Sequence, residues 1–333
     1  MTQQRSPSMH DVAARAGVSH QTVSRVLNEF PGVRPDTRAR VLAAIEEMGY
    51  RRNLSARTLA TGRSHSIGVL SPEVPNFGPM SSMHAVERAA REAGFHSLLT
   101  STTSDPARVT DALDYLTGKS VDAVVVLAQQ RSVLDSVRPR LAGMPAVYLL
   151  TGGTRAEDAI SVDQVEGTRV AMEHLIGLGH QRIQHLTGNL DFSEAQLRRD
   201  AYLALMEREG LEPLPMLEGD WSSDSGYEAG KRIDPRATAV FCGNDQMAMG
   251  LVHALYESGR QVPGDVSVVG FDDLPEAKHS CPALTTVHQD FAGIGTLAVA
   301  VLLAKLDGSE EPGTLPLLPW LVERASTGPP AAT

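Results

Sequence analysis

The chain has 333 residues, of which 42% are hydrophobic and 21% charged, the balance of a folded protein with two or three domains. No apolar stretch approaches the ~20 residues of a membrane span, and the polar N-terminus has no signal-peptide core. Two cysteines, Cys242 and Cys281, cannot form a disulfide framework. We therefore expect a cytoplasmic protein that is neither exported nor membrane-bound.

The charge is distributed unevenly. The net charge is −10, yet residues 1–63 hold ten arginines and no lysine against five carboxylates, so this segment is +5 and the rest −15. A basic N-terminal segment on an otherwise acidic chain indicates that only this segment contacts nucleic-acid phosphates. An arginine-rich solvated surface is the alternative that charge alone leaves open.

The basic segment has the pattern of three short helices. Ser8 and Ser19 are N-cap residues, and Gly17 permits the left-handed turn that ends a first helix. A glycine turn between two short helices is typical of a helix-turn-helix unit. The third helix should cover the other two with an apolar stripe of Val41, Leu42, Ile45 and Met48. The predicted helices are Met9–Ala16, His20–Leu27 and Pro35–Met48.

The second helix has the polar face of a major-groove reader. Gln21 can pair with the edge of an adenine and Arg25 with the edge of a guanine, and His20 lies beside them as a further base contact. Short hydroxyl and amide groups suited to phosphate contacts are Ser8, Ser19, Ser24, Asn28 and Thr37. A three-helix protein-interaction module is the alternative.

Two stretches carry a family resemblance. Residues 11–28, with Asp-Val-Ala, Ala-Gly-Val-Ser and Gln-Thr-Val-Ser-Arg-Val-Leu-Asn, resemble the headpiece of the LacI/GalR family of bacterial repressors. The stretch that begins Tyr50-Arg51-Arg52-Asn53 and runs through Leu59 resembles the family's hinge helix. The resemblance implies that Leu59 wedges into a minor-groove step, whereas core packing is the alternative. The hinge residues implied in DNA contact are Asn53, Ala56, Leu59 and Ala60.

The remaining chain alternates strands with helices. Two successive βαβ series predict an α/β core of two parallel-sheet subdomains behind the all-α headpiece. Ligands bind such sheets beyond the carboxyl ends of the strands, so two facing sheets form a cleft. The predicted strands are 67–70, 97–100, 123–127, 146–150, 183–186, 239–242 and 266–271, and the helices 80–93, 109–116, 166–178, 195–209 and 246–258.

The core also resembles that of the LacI/GalR family, which is itself similar to periplasmic sugar-binding proteins. The resemblance implies a headpiece at 1–52, a hinge helix at 53–64 and an effector-binding core at 65–333. The chain should cross between subdomains near Ser161–Asp163, Gln289–Ala292 and Leu317–Leu321. The N-subdomain then comprises 65–161 and 292–318, and the C-subdomain 162–291 and 319–328.

The resemblance implies a set of effector-binding residues in the cleft: Arg198, Trp221, Asn244, Asp272, Gln289 and Phe291. A sugar offers hydroxyls that both donate and accept, plus an apolar C–H face. Arginine donates, aspartate accepts, asparagine does both, and an aromatic ring packs the C–H face. Each residue alone could be structural, as a helix cap, as a partner of Glu194 or as core.

The identity of the effector is less constrained. Trp221, Gln289 and Phe291 resemble the lactose-repressor set and favour a galactoside or other β-linked disaccharide. Leu150, Ser82 and Ser161 depart from the family pattern.

Motifs for catalysis and cofactors are missing from the sequence. No glycine-rich phosphate loop or nucleophile elbow occurs, neither cysteine has a Cys-x-x-Cys partner, and His174, His180 and His185 do not share one helical face. We expect no cofactor, no metal and no enzymatic activity.

These features predict a homodimer on a pseudo-palindromic operator in double-stranded DNA, released by a small sugar. The opposite sign, in which the sugar is a corepressor, fits the same architecture. A sugar-transport protein with a helical head and a sugar-converting enzyme remain alternatives. The expected dimer seam is formed by helices 80–93 and 246–258, through Met83, Val86, Met247, Met249, Leu251 and Leu255.

Overall fold

The computed structural model describes residues 7–51, 62–73, 76–149 and 159–331. They belong to two compact units, Met1–Ser64 and His65–Thr333. The predicted hinge residues Asn53, Ala56, Leu59 and Ala60, and Leu150 of the core, lie outside the described residues. None of the described helices is long and apolar enough to cross a membrane.

The first unit contains three helices with the predicted bounds: α1 (Met9–Ala16), α2 (His20–Leu27) and α3 (Pro35–Met48). Ser8 and Asp11 form a reciprocal capping box, in which Ser8 Oγ accepts from the Asp11 backbone N–H at 3.3 Å. Gly17 ends α1 in the left-handed region, with φ of 64°. Local capping therefore sets where these helices begin and end.

A small core holds the three helices together. Val12, Val23 and Val41 are fully buried in it. The predicted stripe on α3 is wrong in one position, because Leu42 is 50% exposed. Leu42 lies about 100° around the helix from Val41, whereas Ala44 returns to the same face and is buried instead.

The second unit begins with a parallel sheet of five strands in the order β2-β1-β3-β4-β5. Helices cover both faces. On one face α4 (Phe77–Glu92) packs with α11 (Phe291–Asp307), and the other carries α5 (Pro106–Gly118) and α6 (Arg131–Val137). The strands are β1 (Ser66–Pro72), β2 (His96–Thr102), β3 (Ala123–Leu127), β4 (Ala146–Leu149) and β5 (Ala159–Ile160).

A second parallel sheet has four strands in the order β7-β6-β8-β9. These are β6 (Ile183–Thr187), β7 (Leu217–Glu218), β8 (Ala239–Cys242) and β9 (Ser267–Val269). Its helices are α7 (Gln164–Gly177), α8 (Ser193–Arg208), α9 (Ser223–Gly230) and α10 (Asp245–Glu257), with a 3₁₀ turn at Ala277–His279. The predicted α/β class with two parallel sheets is confirmed.

Three chain segments join the two sheets. The first follows β5, where Val162 bridges Leu317. The second follows β10 (Thr286–His288) and leads into α11, and the third precedes β11 (Trp320–Val322), which pairs antiparallel with β10. The carboxyl ends of both sheets therefore meet at one cleft.

The five predicted helices of the second unit differ from the structure by one to three residues at their ends, and α6, α9 and α11 were not predicted. Helix α4 begins at Phe77 rather than Met80, because Pro79 lies in the first turn, where no intrahelical N–H bond is lost. Helix α11 is buried on one face, but its less buried face is also apolar, for example at Ala292, Leu297 and Ala300, so no polar face marks the helical period in the sequence.

The residues predicted for the dimer seam are mostly in the core of the chain itself. Val86, Met247, Leu251 and Leu255 are fully buried, so that prediction is wrong for them. Their apolar character reflects packing against the sheets. On α10 the exposed face instead presents Tyr256, which is 80% exposed.

Candidate functional site

The headpiece presents the predicted polar face to solvent. His20, Gln21, Arg25 and Asn28 are exposed along α2. Thr37 is half-buried in the first turn of α3. The Arg25 guanidinium lies 5.6 Å from the centre of the Phe30 ring, which limits its range of orientations.

Four of the predicted phosphate contacts also have local roles. The hydroxyls of Ser8 and Ser19 cap α1 and α2, and Ser24 accepts a bond from the Asn28 side chain at 3.4 Å. The ring of His10, which the sequence did not single out, stacks on His20 with centroids 4.6 Å apart.

All six predicted effector residues line one cavity in the cleft between the two sheets. Arg198 comes from α8, Asn244 and Asp272 follow strands β8 and β9, and Trp221 follows β7. Gln289 and Phe291 belong to the segment that crosses between the sheets. Because parallel strands end at the same edge, side chains far apart in sequence meet there.

Arg198 is the central cation of this cavity and is 2% exposed. Its Nε donates to Gln164 Oε1 at 2.8 Å, and Nη1 donates to the backbone oxygen of Gly243. The guanidinium lies 3.8 Å from the centre of the Phe271 ring. These contacts fix its plane, so the charge is held rigidly in the cavity wall.

A chain of amide hydrogen bonds connects Arg198 to Asp272. Gln164 Nε2 donates to Gln289 Oε1 at 2.9 Å, and Gln289 Nε2 donates to Asp272 Oδ1 at 2.6 Å. Gln164 begins α7 in one subdomain, whereas Gln289 lies where the chain crosses to the other. The network therefore spans the segment that joins the subdomains.

Asn244 and Trp221 are tied to each other. Asn244 caps α10 by accepting from the Met247 N–H at 2.9 Å and donates to the Trp221 backbone oxygen at 3.0 Å. Trp221 has φ of 76°, and its ring lies so close to Gly188 that a Cβ there would be 2.1 Å away. Such strained backbone positions cluster at functional sites.

An aromatic pair closes another side of the cavity. Phe291 packs edge-on against Phe77 of α4, with ring centroids 5.8 Å apart. Phe291 is 6% exposed. The two rings add apolar surface to a cavity that charged residues also line.

The buried carboxyls have raised pKa values. Burial raises the pKa of Asp272 to about 7, although Arg198 and the bond from Gln289 act in the opposite direction. Burial likewise raises the pKa of Glu194, opposed by Arg198 and by a hydrogen bond from Gln129. Holding these carboxylates costs stability, and such costs are typical of binding sites.

Two buried polar atoms at this cavity lack hydrogen-bond partners. Among the described residues only four buried side-chain atoms do so, and two of them, Gln129 Oε1 and Trp221 Nε1, belong to residues that line this cavity. One is an acceptor and the other a donor. Unpaired buried groups are rare, and two of the four belong to the lining of one cavity.

The cavity itself is small, about 20 Å³, room for about one water molecule. A neighbouring cavity of about 240 Å³ shares Gln129 and is lined by polar residues at the ends of β1 and β2. The walls must therefore move apart for any ligand larger than a water molecule to enter.

Sequence reasoning missed three residues that shape the cavity, namely Gln129, Gln164 and Glu194. Gln129 follows β3, and its position at a strand end was a usable signal. Glu194 lies one helical turn before Arg198 and was considered only as a possible partner of that arginine. Within residues 7–51, 62–73, 76–149 and 159–331, no cluster of His, Cys, Asp and Glu could hold a metal ion.

Comparison with known proteins agrees with this division of the chain. Residues 8–53 match the model for bacterial regulatory proteins of the lacI family, and residues 172–327 match the periplasmic binding protein-like domain. The fold and cleft thus define a transcription regulator with a DNA-binding headpiece and an effector-binding core.

Whole-chain relatives identify the family. The ribose operon repressor of Escherichia coli K12 is 35% identical over 327 residues, covering 96% of this chain and 99% of its own. The transcriptional repressor PurR of Haemophilus influenzae (strain PittEE) is 33% identical over 332 residues, covering 96% and 98%. The chain belongs to the LacI family of DNA-binding transcriptional repressors.

Solved structures of similar proteins agree with this family assignment. The lac repressor dimer bound to operator and the anti-inducer ONPF superimposes with a TM-score of 0.87 at 32% identity, covering 97% of this chain and all of that one. The regulator CelR in complex with cellobiose superimposes with a TM-score of 0.71 at 31% identity, covering 96% and 99%.

Proposed function

We propose that this repressor holds a pseudo-palindromic operator near sugar-utilisation genes and releases it when a small sugar enters the cleft. The observation that carries the proposal is the composition of the cavity wall. A fixed guanidinium, a carboxylate and an amide line the same cavity as Trp221 and Gln129, whose Nε1 donor and Oε1 acceptor are buried without partners. Hydroxyl groups both donate and accept, so one class of ligand satisfies both atoms.

The aromatic side chains support the same ligand class. A pyranose has an apolar C–H face, and Trp221 together with the Phe77–Phe291 pair offers flat apolar surfaces. The finer proposal is a galactoside or another β-linked disaccharide. The complex of CelR with cellobiose, itself a β-linked disaccharide, supports this choice of size and linkage.

The position of the site supports a proposal for how binding is coupled to release. Gln164 and Gln289 lie at the segments that join the two subdomains, and they contact Arg198 and Asp272 directly. A ligand that parts these walls shifts one subdomain against the other. We propose that this shift acts through residues 53–64, as a hinge, to separate two headpieces from the operator.

A thermal-shift screen of mono- and disaccharides tests the proposal. A sugar that stabilises the wild type should also weaken binding to a fluorescent operator duplex, selected beforehand from random duplexes. Failure of every sugar to stabilise the protein would contradict the proposed ligand class. Tighter operator binding with sugar would instead make the ligand a corepressor.

We further propose that α2 reads base edges through Gln21 and Arg25, with His20 beside them. Replacing Arg25 by alanine should weaken operator affinity by about 10- to 100-fold and relax discrimination at one base pair. Arg15→Ala is the matched control, since Arg15 is exposed on α1 but paired with Glu47 at 2.7 Å. Fluorescence anisotropy with single-base operator variants measures both effects; equal losses in the two variants would refute a base contact.

The protein is proposed to act as a homodimer through the exposed face of α10. Met249, Val252 and Tyr256 border an apolar surface cavity of about 420 Å³, and Tyr256 is exposed. Tyr256→Glu should yield monomers at micromolar concentration, with operator affinity reduced at least ~100-fold, because an interface anchor becomes a charge. Tyr115→Glu, at another exposed tyrosine, is the control. Sedimentation velocity measures the oligomeric state of both variants. If Tyr256→Glu is still a dimer, the dimer interface lies elsewhere.

A further inference from the structure

Glu194 places a second carboxylate in the cleft. It lies in the first turn of α8, is 7% exposed and lines the same cavity as Arg198 and Asp272. Its side chain accepts a hydrogen bond from the amide of Gln129, which belongs to the other subdomain. The adjacent Ser193 N–H also donates to the Gln129 backbone oxygen at 3.0 Å. Glu194 therefore lies where the two subdomains meet and where a ligand must part them.

The charged residues around the cavity disfavour the binding of an anionic ligand. Among the described residues that line it, Arg198 is the only cation, whereas Glu194 and Asp272 are both acids. Arg198 interacts electrostatically with both and also with buried Asp245. Two of its nitrogens are already occupied by Gln164 and Gly243. An incoming negative charge thus meets no uncompensated positive one.

The unpaired polar groups of the lining residues do not make up for the missing positive charge. Trp221 Nε1 is a neutral donor, and Gln129 Oε1 is an acceptor that a carboxylate or phosphate cannot satisfy. A hydroxyl or an ammonium group can donate to Gln129 and to the carboxylates. Buried like charges brought together without compensation discriminate strongly between ligands.

We propose that Glu194 selects the effector by charge, so that the cleft takes neutral or amino sugars and rejects sugar acids and sugar phosphates. This inference rests on the proposed function, because it concerns the ligand of the same site. It makes Glu194 a residue that determines specificity, acting by repulsion of anionic sugars and by attraction of hydroxyl and ammonium donors.

Titration calorimetry with matched ligands tests the inference. The probes are galactose, galactosamine, galacturonate and galactose 6-phosphate, with the glucose series and cellobiose beside them, at about pH 8, which lies above the raised pKa of about 7 of buried Asp272. In the wild type the neutral and amino sugars should bind at least about 100-fold more tightly than the anionic ones. Glu194→Gln should reduce this preference to less than about fivefold by a gain in affinity for the anionic sugars.

Glu207→Gln provides the control, since it makes the same change on the exposed side of the same helix and should leave the preference unchanged. Wild-type protein that binds galacturonate or galactose 6-phosphate as tightly as galactose would overturn the inference, whether or not Glu194→Gln folds. An unchanged preference in folded Glu194→Gln would also overturn it. If no sugar of either series binds the wild type, the proposed function itself fails, and the charge rule fails with it.

Discussion

Replacing Arg198 by alanine is expected to lower the free energy of unfolding of the core unit by about 3–5 kcal/mol and to abolish the response to sugar. The guanidinium is buried and compensates Glu194 and Asp272, so its loss leaves two buried acids without a nearby cation. The substitution also removes the donors to Gln164 and Gly243 and the contact with the Phe271 ring.

Urea unfolding followed by far-ultraviolet circular dichroism measures this loss. Arg199→Ala is the matched control, because Arg199 is the next residue on α8 and pairs with exposed Asp200 at 2.7 Å. That variant should lose no more than about 1 kcal/mol. A loss below about 1 kcal/mol in Arg198→Ala would show that the guanidinium does not neutralise the buried acids.

Replacing Asp272 by asparagine is expected to raise stability and to weaken the sugar response. Folding raises the pKa of Asp272 from 3.8 to about 7, so ionised Asp272 destabilises the folded state. This penalty is absent below about pH 4, grows as the pH rises towards 7 and is constant above it. Asparagine removes the charge, keeps an acceptor for Gln289 and tolerates the positive φ of 109°.

Asp272→Asn should therefore raise the free energy of unfolding by about 2–4 kcal/mol at pH 8 and by almost nothing at pH 4. Sugar affinity should fall by about 10- to 100-fold, since a charged acceptor is lost. Urea unfolding at both pH values, with exposed Asp191→Asn as control, measures the first effect. An Asp272→Asn protein that is less stable than wild type at pH 8 would contradict the assignment of a costly buried charge.

Both expected results have one physical basis, namely that the site is maintained at the expense of stability. Arg198 offsets part of the cost of burying Asp272 and Glu194, and the unpaired atoms of Gln129 and Trp221 add to it. Binding sites commonly violate the rules that govern cores. Loss of the buried acid should therefore stabilise the protein while it removes function.

The sequence predicted those features of the fold that depend on neighbours along the chain. Helices α1 and α2 have the predicted bounds because Ser8, Ser19 and Gly17 cap them locally, and α3 has them because Pro35 begins it and Gly49 ends it. Apolar residues on the less buried face of α11, such as Leu297 and Ala300, hide its helical period in the sequence, which is why α11 was not predicted. The exposure of Leu42 was missed because one residue of shift on a helix changes the face.

The residues of the candidate site likewise fall into those that the sequence predicted and those that it did not. Asn244 and Asp272 follow buried strands, so their convergence could be predicted from the geometry of a parallel sheet. Gln164, Gln129 and Glu194 were not predicted as a network, because their roles depend on how the two subdomains meet. That arrangement is set by tertiary packing and leaves no periodic signal in the sequence.

The central claim is that one sugar-sized ligand in the cleft changes operator affinity. The most direct measurement is operator affinity by fluorescence anisotropy, with and without a saturating sugar from the thermal-shift screen, for wild type and Asp272→Asn. At a sugar concentration that just saturates the wild type, we expect operator binding by wild type to weaken at least about fivefold, the lower end of typical coupling, and that of the variant to change less, because its sugar affinity is lower. A sugar that binds the wild-type cleft yet leaves its operator affinity unchanged would contradict the account.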